Sequence, residues 1–213
     1  DFIMALYQTI KLDSGAKVLI WKIEETFEVL KENIELSDIS IDKLSKMKSQ
    51  VHQKGFLAVR QLMSQLGLKD SDLSYNENGR PLLNNGNFIS ISHSHNYAAI
   101  VYSPIPMGID VELKQDKILH IASKFTPIEE YRTMANHEAL IRKLTRVWCA
   151  KEAIYKCFST PGVSFYKHID VHDFDMEDVQ TKATLVFKNI KQDYQVDFLE
   201  FDTFVCSFVK VID

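Results

Sequence analysis

Three runs near the carboxyl end of the chain alternate between apolar and polar residues, and only short polar breaks separate them. Alternation places successive side chains on opposite faces of a strand, so each run predicts a strand with one buried face. Breaks this short favour antiparallel pairing, because parallel neighbours need a long crossover. The runs are TLVFKNI, YQVDFLEFD and TFVCSFVKVI. They predict a three-stranded antiparallel meander.

The rest of the chain alternates between strand-like and helix-like segments. Strands are predicted for IMALYQTI, AKVLIWKI, NFISIS, YAAIVYS and MGIDVEL, which are rich in β-branched and aromatic residues. Helices are predicted for EETFEVLKEN, for Ile41 to Leu66, for Lys117 to Phe125, from Thr126-Pro127 onward, and from about Glu138 through Phe158. This order of segments predicts an α+β fold, with helices packed on largely antiparallel sheets.

Composition narrows the class of protein. The chain has 213 residues, of which 46% are hydrophobic, enough for one large domain or two halves of about 100 residues each. A net charge of −4 disfavours extensive binding to nucleic acid, and the absence of a long apolar run predicts no membrane partner. Three cysteines without paired spacing fit a reduced, cytoplasmic location. Cys149 and Cys157 are predicted to fill a core.

The segment GIDVE carries two acidic side chains on one face of a predicted strand. Asp110 and Glu112 are two residues apart and project together, whereas Ile109 and Val111 point to the other face. Parallel carboxylates repel each other unless a cation or a proton lies between them. Oxygen ligands of this kind suit Mg²⁺. The alternative interpretation is the solvated face of an amphipathic strand.

The segment RVWCAKEAIYKCF is a predicted helix with charges among apolar residues. Glu152 and Lys156 are four residues apart, so they lie on one helical face. They form either an ordinary surface pair or a metal ligand beside a cation that neutralises phosphate. Trp148, Ala153 and Ile154 leave little room for a solvated face, which favours the second hypothesis.

Two further segments carry polar residues that could contact phosphate. In FISISHS, Ser92 shares a strand face with two other serines, and His93 lies at the strand's end. In NGRP, Arg80 lies on a turn. A structural histidine and a solvated loop arginine are the alternatives. The basic residues from Lys43 to Arg60, which include Lys54, are typical of the wet side of a helix.

In order along the chain, NGRP, FISISHS, GIDVE, FTPIEE and WCAKEAIYK resemble the motifs of the 4′-phosphopantetheinyl transferase family of the surfactin-synthetase type. The resemblance spans Asn78 to Lys156. It implies two similar α+β halves related by a pseudo-twofold axis, here 1–105 and 106–213, with coenzyme A in the cleft between them. A monomer would then suffice, since one chain supplies both sides of the cleft.

The resemblance also implies a reaction. The 4′-phosphopantetheine arm of coenzyme A is transferred to a serine of an apo acyl or peptidyl carrier protein, and adenosine 3′,5′-bisphosphate leaves. Asp110, Glu112 and Glu152 would hold Mg²⁺, with Mn²⁺ as a substitute. Lys156, with Lys151, would neutralise charge on the leaving phosphate. The base would be Glu152, directly or through a water, or Glu129.

Coenzyme A contacts are implied for both parts of the chain. His93, Ser92 and Arg80 would grip the 3′-phosphate and neighbouring groups, and Lys54 and Arg60 of the upstream helix would contact the nucleotide. Two segments depart from the family pattern. STPGV stands where the family usually has a Gly-rich segment, and Gln53-Lys54 stands where a basic pair is common.

Two other functions stay open at this point. One is a Mg²⁺-dependent hydrolase of a nucleotide pyrophosphate, which would need no carrier protein. The other is a non-catalytic, partner-binding relative of the fold, which would be expected to have lost an acidic metal position. The carrier itself is not specified by the sequence, so fatty-acid, polyketide, peptide-synthetase and lysine-pathway carriers are all candidates.

Overall fold

The computed structural model describes residues 6–32, 34–131 and 134–212. The chain divides into two compact units, residues 1–105 and 106–213. Both combine antiparallel sheet with helices, so the predicted α+β class is confirmed. Within the described ranges, no helix combines the length and apolar character needed to cross a membrane.

The first unit is built on a four-stranded antiparallel sheet. Its strands are β1 (Leu6–Lys11), β2 (Lys17–Lys22), β5 (Phe88–Ser94) and β6 (Tyr97–Ser103), in the order β1-β2-β6-β5. A separate hairpin joins β3 (Leu73–Tyr75) to β4 (Pro81–Leu83). The predicted strands of this half are confirmed, except that the start of IMALYQTI lies outside the described residues.

Three helices accompany this sheet. They are α1 (Phe27–Glu32), α2 (Asp38–Lys46) and α3 (Gln50–Ser64). The helical run predicted from Ile41 to Leu66 is therefore wrong as one continuous element. Met47 and Ser49 have extended backbones, and α3 begins anew after them. The helical period survives the break because both helices bury apolar residues in one core, among them Leu44, Leu57 and Met63.

A buried ion pair joins the helices of the first unit. Arg60 Nε donates to Asp70 Oδ1 over 2.9 Å, and the two side chains are 3% and 1% exposed. Ser37 donates to Asp70 Oδ2 from both its backbone nitrogen and its hydroxyl, and the Ser40 hydroxyl donates to Oδ1. Burial alone would raise the pKa of Asp70, but the hydrogen bonds from Ser37, Arg60 and Ser40 hold it below its ordinary value.

These contacts bear on the expected role of Arg60. Its guanidinium lies over the Phe56 ring at 3.5 Å from the ring centroid and is enclosed in the core. A buried charge is retained where it is paired and hydrogen-bonded, and Asp70 provides that pairing. The structure thus gives Arg60 a structural role, and the coenzyme A contact expected for it stays a prediction.

Asp70→Asn should destabilise the protein by about 3 kcal/mol at neutral pH, because it leaves Arg60 buried without its counter-ion. Since the folded pKa of Asp70 is depressed, its contribution is present above the ordinary value of 3.8 and is lost as pH falls through the folded pKa. Urea unfolding at pH 7 and near pH 3 measures both effects. The half-buried neighbour Asp72 is the control, and equal losses for Asp72→Asn and Asp70→Asn would contradict the prediction.

The second unit is built on a five-stranded antiparallel sheet. Its strands are β7 (Met107–Leu113), β8 (Ile169–Val171), β9 (Gln180–Phe187), β10 (Ile190–Phe201) and β11 (Phe204–Ile212), in the order β7-β11-β10-β9-β8. The predicted carboxyl-terminal meander is confirmed as β9, β10 and β11. Strand β7 pairs with β11, so Asp110 lies opposite Ser207 and Glu112 opposite Val205.

The helices of this unit are α4 (Lys117–Ile121), α5 (His137–Phe158) and α6 (Phe165–His168). Among the described residues, a 3-10 turn at Ile128–Tyr131 stands where an α-helix was predicted from Thr126-Pro127, so that prediction is wrong there. Helix α5 confirms the prediction for the charged segment. Asn136 caps it by accepting from the backbone nitrogen of Ala139, and Ser159 ends it in a left-handed conformation.

Buried cations attach α5 to the loop that precedes β9. Lys143 Nζ is 2.9 Å from Asp173 Oδ1, and the Lys143 side chain is 7% exposed. Arg146 NH1 donates to the carbonyl of Met176, and its guanidinium stacks 4.1 Å from the Phe198 ring centroid. The charged groups in the amino-terminal half of α5 therefore form contacts that connect parts of the second unit.

Candidate active site of the second unit

Helix α5 and strand β7 approach each other closely at a glycine. A Cβ on Gly108 would lie 1.9 Å from the carbonyl oxygen of Ala153, which is a position no side chain tolerates. Ala153 is itself fully buried, so the helix presents a flat surface there. The Cys149 thiol also donates to the backbone oxygen of Asp110 over 3.1 Å. Small residues on both elements thus bring the charged part of α5 next to the acidic strand.

Lys156 forms an ion pair with Asp110 across this contact. The Nζ–Oδ1 distance is 2.7 Å, and the Asp110 side chain is 5% exposed. Burial alone would lower the pKa of Lys156, but the charge and hydrogen bond of Asp110 more than reverse this and raise the pKa. Lys156 is therefore a cation at neutral pH, and its partner is on the strand rather than only on its own helix.

Glu152 lies in an excess of negative charge. Its pKa is raised to about 7, first by burial and then by Asp110, with Glu112 adding to the effect and Lys156 opposing it. A carboxyl group with a pKa near neutrality exchanges protons readily under working conditions. The interpretation of Glu152 and Lys156 as an isolated surface pair is wrong, because both interact with Asp110 on another element.

Glu112 is oriented by an aromatic residue of α5. Trp148 Nε1 donates to Glu112 Oε1 over 3.4 Å, which is a long hydrogen bond. The Trp148 ring packs against Phe125 and Phe165, at centroid distances of 5.1 and 5.4 Å. A cavity of about 200 Å³ borders Glu112 and Trp148, so this carboxylate is accessible to a small group.

The donor set can be tested against a divalent cation. Among the residues that the structure describes, no three His, Cys, Asp or Glu side chains are arranged to hold a metal ion. The reason is visible at two of the carboxylates, since Asp110 turns to Lys156 and Glu112 turns to Trp148. The chemistry nevertheless fits, because all three side chains offer carboxylate oxygens and a cation would favour the ionised form of Glu152, whose pKa is raised first by burial and then by Asp110.

Lys151 and Glu129 lie elsewhere in the unit. Lys151 is 3% exposed, and its Nζ donates to the carbonyls of Phe125 and Phe165 over 2.6 and 3.0 Å. The expected pairing of Lys151 with Lys156 at a phosphate is thus not what the structure shows. Glu129 is exposed on the 3-10 turn at Ile128–Tyr131.

The remaining predicted residues belong to the first unit. His93 is the last residue but one of β5 and packs on α3 at Gly55, where a Cβ would lie 2.7 Å from its Nδ1. Ser92 is buried, and Lys54 is half-buried on α3. Gly55 therefore creates the space that the His93 ring occupies.

Arg80 follows a tight turn between β3 and β4. Its backbone nitrogen donates to Asn76 Oδ1 over 2.9 Å, and Gly79 adopts a φ of +77° that favours glycine. The Arg80 guanidinium lies 5.8 Å from the Phe88 ring centroid. The turn thus places Arg80 beside the start of β5, the strand that carries His93 near its other end.

Sequence reasoning missed the residues that surround Glu112. Trp148 was interpreted only as an anchoring residue, although its position four residues before Glu152 places both on one helical face. Phe165 carried no signal, because it is brought to Trp148 by a loop. Phe125 was recognised only as part of a motif.

Two comparisons with known proteins bear on this site. Residues 106–209 match the model of the 4′-phosphopantetheinyl transferase superfamily, and this segment contains both the acidic strand and the charged helix. The family resemblance predicted from the five motifs is thus confirmed over this segment, and the second unit is similar to that superfamily.

A curated relative points the same way. The chain is 25% identical over 159 residues to the 4′-phosphopantetheinyl transferase gsp of Aneurinibacillus migulanus. The alignment covers 72% of this chain and 65% of the relative, so the chain spans about two thirds of that protein's length.

Glu152→Gln should stabilise the metal-free protein above pH 7. The folded pKa is raised from 4.5 to about 7, so wild-type stability falls as pH rises through this window, by at most about 3 kcal/mol. The amide carries no charge and avoids that loss. Thermal unfolding in chelator at pH 5 and pH 8 measures the difference. Glu138→Gln, at the exposed start of α5, should not change the pH dependence, and an unchanged pH dependence in Glu152→Gln would contradict the assignment.

Proposed function

We propose that the protein transfers the 4′-phosphopantetheine arm of coenzyme A to a serine of an apo acyl or peptidyl carrier protein, in a Mg²⁺-dependent reaction. The observation that carries this proposal is the convergence of Asp110, Glu112, Glu152 and Lys156 at the contact of α5 with β7. The superfamily match over the same segment supports it.

The three carboxylates would hold the metal, with Mn²⁺ as a substitute. When bound, the cation would neutralise the pyrophosphate of coenzyme A, the main requirement of phosphoryl-type transfer. Lys156 provides a permanent positive charge beside this position, and Asp110 holds its ammonium in place. Lys156 is therefore the residue proposed to neutralise charge that develops on the leaving phosphate.

Glu152 is the proposed base for the carrier serine. Its pKa of about 7 allows it to accept a proton at neutral pH, directly or through a water. Metal binding would lower that pKa, so the two roles compete for one carboxylate. Glu129 is the second candidate base. It is exposed on a turn, whereas Glu152 has a pKa raised by burial, and this difference favours Glu152.

The first unit is proposed to supply contacts to coenzyme A. His93 and Arg80 are the principal candidates, since His93 lies near the end of β5 and the Arg80 guanidinium lies near Phe88 at the start of the same strand. Ser92 and Lys54 are secondary candidates, because the first is buried and the second is half-buried on α3. A cytoplasmic monomer that needs no membrane or nucleic acid completes the proposal.

Incubation with coenzyme A, Mg²⁺ and a panel of apo-carriers, followed by intact mass measurement, tests the reaction. One carrier should gain the mass of a single phosphopantetheine. Glu152→Ala should abolish this gain, whereas Glu138→Ala on the same helix should not. A pyrophosphate hydrolase would instead consume coenzyme A and leave every carrier unchanged.

Two outcomes of that experiment would overturn parts of the proposal. An undiminished rate in excess chelator would contradict the metal assignment. Near-normal turnover by Glu152→Ala, with an unchanged circular dichroism spectrum, would remove Glu152 as both ligand and base.

Gly55→Ala should raise the KM for coenzyme A by about tenfold with a smaller change in kcat, because its methyl group displaces the His93 ring from its place on α3. Alanine also favours the helix, so the fold should persist. His93→Ala should raise KM similarly, and the double variant should add little. Val51→Ala, exposed one turn earlier, is the control. An unchanged KM in folded Gly55→Ala would contradict the role of His93.

A further inference from the structure

Lys151 is a buried ammonium bound to two separate loops. Its Nζ donates to the carbonyl of Phe125, after the 3-10 turn at Ala122–Lys124, and to the carbonyl of Phe165, at the start of α6. Placing a charged group in the interior costs free energy unless hydrogen bonds compensate for the lost water. Charge-assisted bonds of 2.6 and 3.0 Å provide that compensation and fix both carbonyls relative to α5.

The two residues held by Lys151 also hold Trp148. The Phe125 ring meets the Trp148 ring at 5.1 Å and 61°, and the Phe165 ring meets it at 5.4 Å and 46°. Such edge-on and tilted arrangements are favourable contacts between aromatic rings. Lys151 binds the backbone carbonyl of each phenylalanine, and Trp148 packs against the side chain of each. The indole is thus held between two segments, and a backbone carbonyl of each segment accepts a hydrogen bond from the Lys151 ammonium.

The orientation of the indole sets the direction of its N–H group. Trp148 Nε1 donates to Glu112 Oε1 over 3.4 Å, so rotation of the ring would break this bond. Groups that hydrogen-bond a metal-ligating carboxylate orient it, and their removal typically weakens metal binding 10- to 100-fold. The N–H group of Trp148 would orient Glu112 in this way, and the rings of Phe125 and Phe165 in turn orient Trp148.

We propose that Lys151 is a positioning residue, which acts through Phe125, Phe165 and Trp148 to aim the Glu112 carboxylate. The catalytic consequence rests on the proposed function, whereas the chain of contacts does not. Lys151 therefore contributes to metal binding without touching coenzyme A or its phosphates.

The first test uses the metal-free protein and a ¹⁵N–¹H spectrum of its two tryptophan indoles. The Trp148→Phe variant identifies the Trp148 resonance by removing it. Lys151→Met should shift or broaden that resonance and leave the Trp21 resonance unchanged. Lys151→Arg, which keeps a charged donor, should restore it at least in part.

Lys143→Met is the matched control. Lys143 is a buried lysine of the same helix that also holds a loop, through Asp173, and that loop carries neither Phe125 nor Phe165, the two rings that clamp Trp148. It should lower stability without altering either indole resonance. An unchanged Trp148 resonance in Lys151→Met, or an equal change in Lys143→Met, would overturn the proposal. If Lys151→Met does not fold, Lys151→Gln takes its place under the same criteria, because its amide is uncharged and lies one bond nearer the backbone, so it does not replace the two charge-assisted bonds.

The second test measures the Mg²⁺ concentration that gives half the maximal transfer rate. It should rise about tenfold in Lys151→Met and in Trp148→Phe. The double variant should rise no further than either single variant, because the two residues act along one path. If the increases seen in the two single variants multiply in the double variant, the proposal is overturned. If the wild-type protein transfers nothing, the proposed function fails, and the indole spectra still decide the role of Lys151.

Discussion

The contact between Gly108 and Ala153 is the constraint on which the second unit depends. A strand and a helix normally keep their backbones apart by the width of their side chains, but here a missing Cβ lets the helix carbonyl reach the strand. Short side chains such as Asp110 can then meet the long Lys156, and Glu152 falls within the influence of both acidic strand residues. A larger residue at either position would separate the charges that define the site.

The protein treats buried charge in two different ways. Asp70 receives hydrogen bonds from two serines and an arginine, and its depressed pKa shows a carboxylate that is fully compensated. Glu152 lies near two other carboxylates, with Lys156 opposing their effect, and its pKa is raised first by burial and then by Asp110. The first arrangement stabilises a fold. The second leaves a deficit of positive charge, which is typical of a site that works on a ligand.

Local pattern was sufficient to predict the class of fold and much of the site. Alternation predicted β7 and the meander, and spacing placed Asp110 with Glu112 and Glu152 with Lys156. The break at Met47 and the 3-10 turn after Pro127 were not predictable, since tertiary packing decided them against a helical period. Arg60 and Lys151 were assigned to ligand binding because the family resemblance implied such contacts. Their partners, a distant carboxylate and two loop carbonyls, are set by the fold and leave no trace in spacing.

The pairing of β7 with β11 has a consequence for how the protein is made. Asp110 and Glu112 lie opposite Ser207 and Val205, so the acidic strand finds its neighbour in the sheet almost one hundred residues later. During synthesis, the helix with Glu152 leaves the ribosome well before the strand that supports the acidic pair. The acidic pair thus lacks its neighbour in the sheet until Phe204–Ile212 has emerged, and loss of this short stretch would remove that neighbour from a chain that retains every charged residue of the candidate site.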